Sequence, residues 1–96
     1  SQYKTLKGDI LSGDITFKTL QEDGPYSLIT ANIVADVLIP MAERLKALLC
    51  ERGQIILSGI LDERADEVLS VYRAHGFEVH GMRHQDEWTA ALIGLK

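Results

Sequence analysis

The sequence predicts an α/β fold with a mostly parallel sheet that ends in an antiparallel hairpin. Two short runs rich in large aliphatic residues, YSLITA at 26–31 and QIILSGI at 54–60, are typical of buried strands. Each run is followed by a stretch whose apolar residues recur at spacings of three and four, which is one face of a helix. Two further strand-like segments flank Gln85-Asp86 near the end of the sequence. This alternation is the pattern of a sheet layered with helices.

Residues 1–25 predict little regular structure. Tyr3 to Leu11 favours a weak strand and then a turn, and glycines, together with the Gly24-Pro25 pair, interrupt residues 12–25. We expect residues 1–25 to form an irregular lead-in that is displaced when no strand lies beside it. Residues 26–96 are expected to continue as strand, helix, strand, helix and hairpin, which makes the chain one partial domain.

The first helix is predicted over residues 32–50, and its apolar face is Val34, Val37, Leu38, Met41, Leu45 and Leu48. Pro40 lies inside this helix. An interior proline removes a backbone donor and clashes with the preceding turn, so we expect a kink or a restart there. Glu51-Arg52-Gly53 then predicts a helix stop and a turn before the next strand.

The second helix is predicted over residues 62–75, with Asp62 as its N-terminal cap. Its apolar face is Ala65, Val68, Leu69 and Tyr72. Gly76 is expected to end the helix in a left-handed conformation, with His75 in the last turn. Strands at 77–83 and 88–95 then form the terminal hairpin.

Composition and charge exclude several classes of function. The formal net charge of the 96 residues is −4, and Lys and Arg are scattered singly, so DNA or RNA is disfavoured as a direct partner. The one cysteine, Cys50, excludes an internal disulfide and fits a reducing compartment. No apolar run reaches membrane-spanning length and no signal-peptide pattern opens the sequence, so we expect a cytoplasmic protein without a membrane partner.

Two segments, ITANIVAD at 29–36 and GQIILSGIL at 53–61, carry a resemblance to a known family. Together with Gly76-Phe77 and Asp86-Glu87-Trp88, they make residues 26–96 resemble the ribosomal protein L eleven methyltransferases. Members of that family move methyl groups from S-adenosylmethionine to amines of one ribosomal protein of the large subunit. The resemblance therefore implies a protein methyltransferase that uses S-adenosylmethionine and has a ribosomal protein as its substrate partner.

The resemblance also implies a position in a known sheet and two site residues. The chain would be the C-terminal half of a Rossmann-like methyltransferase sheet, with the hairpin at its end. Lys7 to Leu11 matches the family more loosely, and there Asp9 would accept a hydrogen bond from the adenine of the cofactor. Asn32 would come directly after the next strand and lie near both the transferred methyl group and the target amine. Asn32 is thus the candidate catalytic residue, and Asp9 and Asn32 are the candidate cofactor-binding residues.

Each of these residues also has a simpler interpretation. Asn32 is of a type that caps helix N-termini, and it lies where a strand gives way to a helix. Asp9 comes directly after Gly8 and is typical of a turn. Ser58-Gly59 lines the mouth of a ligand pocket in one interpretation, and in the other it ends a strand where tight packing requires small residues.

Several features of the family are missing from these residues. The sequence has no Gly-rich turn of the G-x-G type, no acidic residue after a second strand for the ribose, and no N-terminal substrate-recognition domain. We therefore expect this chain to bind S-adenosylmethionine weakly and to be inactive in isolation. The absence of a complete site favours an alternative, a non-catalytic α/β module that binds proteins. Another nucleotide-binding fold is disfavoured because no phosphate-binding loop is present.

The predicted topology leaves part of the sheet uncovered. Right-handed crossovers place both helices on one face, and the strand at 26–31 becomes a bare edge. Exposed apolar faces and open edges pair readily with other chains, so we expect a homo-oligomer formed through the sheet face or the edge strand.

Other chemistry-bearing residues favour structural interpretations. His80 and His84 are predicted on one face of a strand, about 13 Å apart, which is too far to share a metal ion. Cys50 has no activating base beside it in sequence and is interpreted as a small apolar residue of a helix end. Trp88 and Tyr72 are interpreted as core residues. No metal site is predicted.

Overall fold

A computed structural model of the protein describes residues 3–7, 22 and 24–96. These residues form one sheet with two helices packed on it. The strands are β1 (Tyr3–Lys7), β2 (Tyr26–Asn32), β3 (Leu49–Leu61), β4 (Phe77–Gln85) and β5 (Trp88–Leu95). The helices are α1 (Ala35–Leu48) and α2 (Asp62–Ala74).

The strand order in the sheet is β1-β2-β3-β5-β4. β1, β2 and β3 are parallel to one another, whereas β5 is antiparallel to both of its neighbours. The predicted α/β class, with parallel strands first and an antiparallel hairpin last, is confirmed. The element order of the described residues (strand, strand, helix, strand, helix, strand, strand) is also the predicted one.

The prediction that the strand at 26–31 is a bare edge is wrong. β1 lies parallel to β2 along its length, from Tyr3 opposite Leu28 to Lys7 opposite Asn32. Leu6 supplies the reason, because burial of its side chain in the core holds β1 beside β2. The outer strands of the described sheet are thus β1 and β4. The division of the chain at residue 25 stays a prediction.

Helix α1 continues through Pro40, so of the expected kink or restart the restart is excluded and the kink stays a prediction. The proline is the sixth residue of the helix and exposed, and its missing donor affects only the carbonyl of Asp36 in the first turn. Buried residues continue on both sides of it, from Leu38 to Leu45. Packing of this apolar face outweighs the loss of one hydrogen bond.

The turn predicted at 51–53 is an irregular part of β3 instead. Arg52 has a φ of 66°, and the register between β2 and β3 shifts between Tyr26 and Leu28. Helix α1 ends at Leu48, so Cys50 belongs to β3, where it is half-buried. The backbone at Arg52 has a turn-like conformation, but β3 continues through it as a distorted strand.

The start of α2 also differs from the prediction. Leu61 is its N-terminal cap residue and makes no side-chain capping bond, while Asp62 is the first helical residue. The end of the helix is as predicted. His75 is the C-terminal cap, its Nδ1 lies 3.0 Å from the Val71 carbonyl oxygen, and Gly76 comes next with a φ of 92°.

The core lies between the sheet and the two helices, which cover the same face as predicted. The central strands contribute Ile29, Ile55, Leu57 and Ile93, and the helices contribute Leu38, Leu45, Val68, Leu69 and Tyr72. The Tyr72 hydroxyl donates a hydrogen bond of 2.7 Å to the carbonyl oxygen of Leu38, which joins α2 to α1. Its ring lies 5.5 Å from that of Phe77 in β4. No described helix covers the other face, where Leu28, Ile56 and Leu92 are half-buried.

The hairpin turns at Asp86 and Glu87, one residue later than predicted, and Asp86 has a φ of 56°. The register between β4 and β5 shifts between Val79 and Gly81, so His80 lies at a bulge. Within the described residues, no helix is long and apolar enough to cross a membrane.

Candidate functional site

The carboxyl ends of the parallel strands meet at one edge of the sheet. Lys7 of β1 lies opposite Asn32 of β2, which in turn lies opposite Ser58 of β3. Ligands of open α/β sheets bind outside this edge. Asp9 lies outside the described residues, two positions after the end of β1 in the sequence.

Asn32 is the last residue of β2 and its side chain is exposed. The interpretation of Asn32 as a helix cap is wrong, because the cap residue of α1 is Val34. Gly59 lies directly against its side chain: a β-carbon at position 59 would overlap Asn32 Oδ1. A backbone hydrogen bond also joins the ends of β2 and β3 here, because the N–H of Ile33 donates to the carbonyl oxygen of Ser58 at 3.2 Å. Asn32 therefore presents an amide, able to donate and accept, at the ligand-binding edge.

A cavity of about 440 Å³ lies beside Gly59, between the end of β3 and the hairpin. It is lined by Ser58, Gly59, Arg83, His84, Gln85, Trp88, Thr89 and Ala90. We call it the hairpin cavity. The pairing of β3 with β5 is irregular between Leu57 and Ile60, and the cavity lies along that irregularity. Gly59 thus lies between the side chain of Asn32 and the hairpin cavity.

Asp62 joins the start of α2 to the hairpin at this cavity. Its Oδ1 accepts a hydrogen bond from the Thr89 hydroxyl and lies 3.1 Å from His84 Nδ1. Its backbone N–H donates to the carbonyl of Glu87 at 2.9 Å. The hydrogen bond from Thr89, then that from His84, lowers the pKa of the Asp62 carboxyl below its ordinary value. A carboxylate held in this way stays ionised and orients the imidazole beside it.

The grouping of Asp62, His84 and Thr89 was not predicted. The sequence separates Asp62 from His84 by 22 positions and from Thr89 by 27. The available signal was an aspartate at a strand-to-helix junction, which is equally typical of a helix cap. Only the return of β5 beside β3 brings the three side chains together.

A second, smaller cavity of about 150 Å³ lies on the other side of Trp88 and Gly59, against the start of α1. Trp88 is 45% exposed, so its interpretation as a core residue is wrong. Tyr72 is fully buried, as predicted. Arg64 closes this cavity by bridging Asp36 at 2.9 Å and Glu67 at 2.8 Å. The hydrogen bonds to Glu67 and Asp36 raise the pKa of the Arg64 guanidinium, which stays charged.

The two hairpin histidines lie on opposite faces of the sheet, and the prediction that they share a face is wrong. The bulge at His80 turns its ring over Gly94 and toward Gln54, on the face without a described helix. His84 lies on the other face, in contact with Asp62. Among the described residues, no group of three or more His, Cys, Asp or Glu side chains could hold a metal ion.

Comparison with known proteins identifies the family. The family model described as ribosomal protein L11 methyltransferase (PrmA) matches residues 8–95. The chain belongs to this family. A ribosomal protein L11 methyltransferase of Brucella suis is 44% identical over 66 residues, which are 69% of the chain and 23% of that protein. One from Caulobacter sp. (strain K31) is 36% identical over 76 residues, covering 79% of the chain and 26% of that protein. The chain thus spans about a quarter of the length of these relatives.

Solved structures show the same fold. The ribosomal protein L11 methylase from Lactobacillus delbrueckii subsp. bulgaricus superposes with a TM-score of 0.77 at 20% identity, over 98% of the chain and 69% of that structure. The M1.HpyAVI-SAM complex superposes with a TM-score of 0.68 at 14% identity, over 99% of the chain and 55% of the other. At these identities the likeness establishes a methyltransferase fold for this member of the PrmA family.

Proposed function

We propose that the chain is the C-terminal part of an enzyme that transfers methyl groups from S-adenosylmethionine to amines of a large-subunit ribosomal protein. The observation that carries the proposal is Asn32, exposed at the carboxyl edge of the sheet in a chain whose residues 8–95 match the family. The relatives from Brucella suis and Caulobacter are both ribosomal protein L11 methyltransferases, which supports ribosomal protein L11 as the substrate.

The described residues fit one part of a cofactor and substrate pocket. Gly59 carries no β-carbon, which leaves Asn32 Oδ1 room at the edge, and the hairpin cavity begins on the other side of Gly59. When bound, S-adenosylmethionine supplies a methyl group on a positively charged sulfur. Asn32 would orient the amine by hydrogen bonding, and Asp9 would accept a hydrogen bond from the adenine amino group. Such a site works by proximity and orientation, so it needs no nucleophilic side chain.

We propose further that residues 1–96 alone bind the cofactor weakly and transfer no methyl groups. The sequence lacks the Gly-rich turn through which a backbone approaches a nucleotide cofactor. The alternative is a non-catalytic protein-binding module. The half-buried apolar residues on the face without a described helix, Leu28, Ile56 and Leu92, support that alternative.

The test begins with the polypeptide produced from its own gene. Its intact mass is compared with the 10.7 kDa of these residues, and it is incubated with isotope-labelled S-adenosylmethionine and ribosomal protein L11. We expect a larger mass and labelled L11. Asn32→Ala should lower the rate about 100-fold or more, as removal of one well-placed polar group does in other enzymes. Ser70→Ala, on the exposed side of α2, is the matched control and should leave the rate unchanged.

A polypeptide of about 10.7 kDa that labels nothing would overturn the enzyme proposal and support the binding module. Labelling of L11 by Asn32→Ala at the wild-type rate would remove Asn32 from the site while leaving the activity itself established.

A further inference from the structure

One nitrogen of the His84 ring is held from two sides. Nδ1 lies 3.1 Å from Asp62 Oδ1 and 3.1 Å from the Thr89 hydroxyl oxygen. Asp62 comes from the first turn of α2 and Thr89 from β5, so two different elements fix the ring. Thr89 is itself buried, which makes its hydroxyl a rigid part of this arrangement.

These contacts determine which ring nitrogen carries the proton. The Thr89 hydroxyl donates to Asp62, whose ionised carboxylate can only accept. Nδ1 must therefore carry a hydrogen and donate it to Asp62. In the neutral ring, Nε2 is then the unprotonated nitrogen with a free lone pair. It lies on the opposite side of the ring from Nδ1 and so points away from Asp62.

His84 also lines the hairpin cavity, which Gly59 connects to Asn32. The other two histidines have different places: His75 contacts the Val71 carbonyl at the end of α2, and His80 lies on the opposite face of the sheet. Among the described residues, His84 is thus the imidazole placed beside the candidate site.

We propose that His84 accepts the proton of the substrate amine in the hairpin cavity, and that Asp62 and Thr89 are its positioning residues. The substrate class is a primary amine that is protonated in solution, either a lysine side chain or a protein N-terminus. This inference rests on the proposed function and adds to it the group that prepares the amine.

The reaction balances with these groups. The ammonium gives one proton to His84 Nε2, which leaves a neutral amine and an imidazolium paired with Asp62. The amine lone pair then forms a bond to the methyl carbon of S-adenosylmethionine while the carbon–sulfur bond breaks. The electrons of that bond stay on sulfur, which becomes a neutral thioether, and the nitrogen becomes a methylated ammonium. The imidazolium returns its proton to solvent.

The charges around the cavity favour this order of events. Asp62 from α2 stabilises the imidazolium, and Arg83 of β4 lines the same cavity, while Thr89 from β5 is uncharged. The ionised Asp62 carboxylate, 3.1 Å from Nδ1, interacts more favourably with an imidazolium than with a neutral ring, and this favours proton transfer to His84.

The kinetic test uses the polypeptide produced from its own gene, with L11 and S-adenosylmethionine, over a range of pH. For the wild type we expect kcat/KM to rise with pH and then level off. His84→Gln should lower kcat/KM about 100-fold near neutral pH, within the usual range for a lost general base, and should abolish the levelling off. His80→Gln is the matched control, because His80 also contacts a carboxylate, Glu78, but lies on the other face. Its pH profile should match the wild type.

A second measurement does not depend on activity. Nitrogen NMR of the same polypeptide, with labelled histidine, reports the protonated nitrogen of each ring. We expect His84 to carry its proton on Nδ1 in the wild type. In Asp62→Asn, the new amide group can donate to Nδ1, so the proton should move to Nε2, as judged from the same spectra.

The outcomes separate the two proposals. If His84→Gln methylates at the wild-type rate with an unchanged pH profile, the role of His84 alone is overturned. A proton on Nε2 of His84 in the wild type would have the same consequence. A wild-type polypeptide that methylates no amine, although His84 shows the Nδ1 proton, would overturn the proposed function and the role of His84 with it. Loss of the levelling off in His84→Gln only, with the Nδ1 proton observed, supports both.

Discussion

Gly59 lies so close to the side chain of Asn32 that a β-carbon at position 59 would displace the Asn32 amide. Gly59 has a φ of 79°, and a β-carbon on it would overlap Asn32 Oδ1. Position 59 therefore needs a residue that adopts a left-handed backbone and has no side chain beside the exposed Asn32 amide. This contact is what gives the candidate site its shape, since the same glycine borders both cavities.

Replacing this glycine should displace the asparagine. Gly59→Ala is expected to cost about 1–3 kcal/mol of stability because alanine at positive φ is strained. The amide signals of Asn32 should shift in NMR spectra as its side chain moves. Gly81→Ala is the control, since a β-carbon there meets nothing within 4 Å and its φ is not positive. Equal losses of stability in the two variants would contradict this account of Gly59.

Removal of the Asp62 charge should change the acid side of the stability profile. Hydrogen bonds from Thr89 and then from His84 lower the pKa of Asp62 below its ordinary value of 3.8. The ionised carboxylate therefore stabilises the fold at pH values above 3.8. This contribution is lost as the pH falls through the lower, folded-state pKa. Asp62→Asn should therefore be less stable than the wild type near neutral pH, and the gap in urea midpoint should close below pH 3.8. For Asp66→Asn, on the exposed side of the same helix, no such closing gap is expected.

The hydroxyl of Tyr72 should contribute measurably to stability. It is buried and donates to the Leu38 carbonyl at 2.7 Å, and burial raises its pKa, so it stays protonated. Tyr72→Phe is expected to cost about 1–2 kcal/mol, because the buried carbonyl loses a partner that water does not replace. Tyr3→Phe is the control at a side chain that is 78% exposed, with an expected change within about 0.5 kcal/mol. Urea unfolding of both variants checks the difference, and equal values would contradict it.

Trp88 should report occupation of the site by its fluorescence. It is the one tryptophan of the sequence, it is 45% exposed, and it borders both cavities beside Gly59. We expect acrylamide to quench its emission in the folded protein and added L11 to reduce that quenching. The control is a ribosomal protein that is not a methylation substrate. Protection of Trp88 by both proteins would show that the effect is not specific to the site.

The fold was largely predictable because local patterns and long-range packing agree. The aliphatic runs at 26–31 and 54–60 are buried strands, and Gly76 ends α2 as its residue type requires. The strand at Tyr3–Lys7 was only weakly indicated, because a five-residue segment with one buried leucine gives almost no periodic signal.

The site was only partly predictable, because its residues respond to partners far away in sequence. Asp62 is of a type that caps helices, yet its carboxylate bonds to the hairpin, since Thr89 and His84 lie within reach. The bulge at His80 places His80 and His84 on opposite faces of the sheet. It depends on how β4 pairs with β5 and cannot be recognised from the spacing of residues in the sequence. Asn32 was predicted as a site residue from the family resemblance and stays a candidate, and its proximity to Gly59 is visible only in the folded structure.

The position of β5 has a consequence for how this sheet is assembled. β5 is the last of the described strands to be synthesised, yet it lies between β3 and β4 and is the strand to which β4 is hydrogen-bonded. Until residues 88–95 emerge from the ribosome, β4 has no neighbour in the sheet and Asp62 has no Thr89 to bind. Because chains are made from the N-terminus at about 5–20 residues per second, β1, β2 and β3 can pair while the candidate site is still open. The hairpin that fastens the start of α2 is thus the last of the described elements to join the sheet during synthesis.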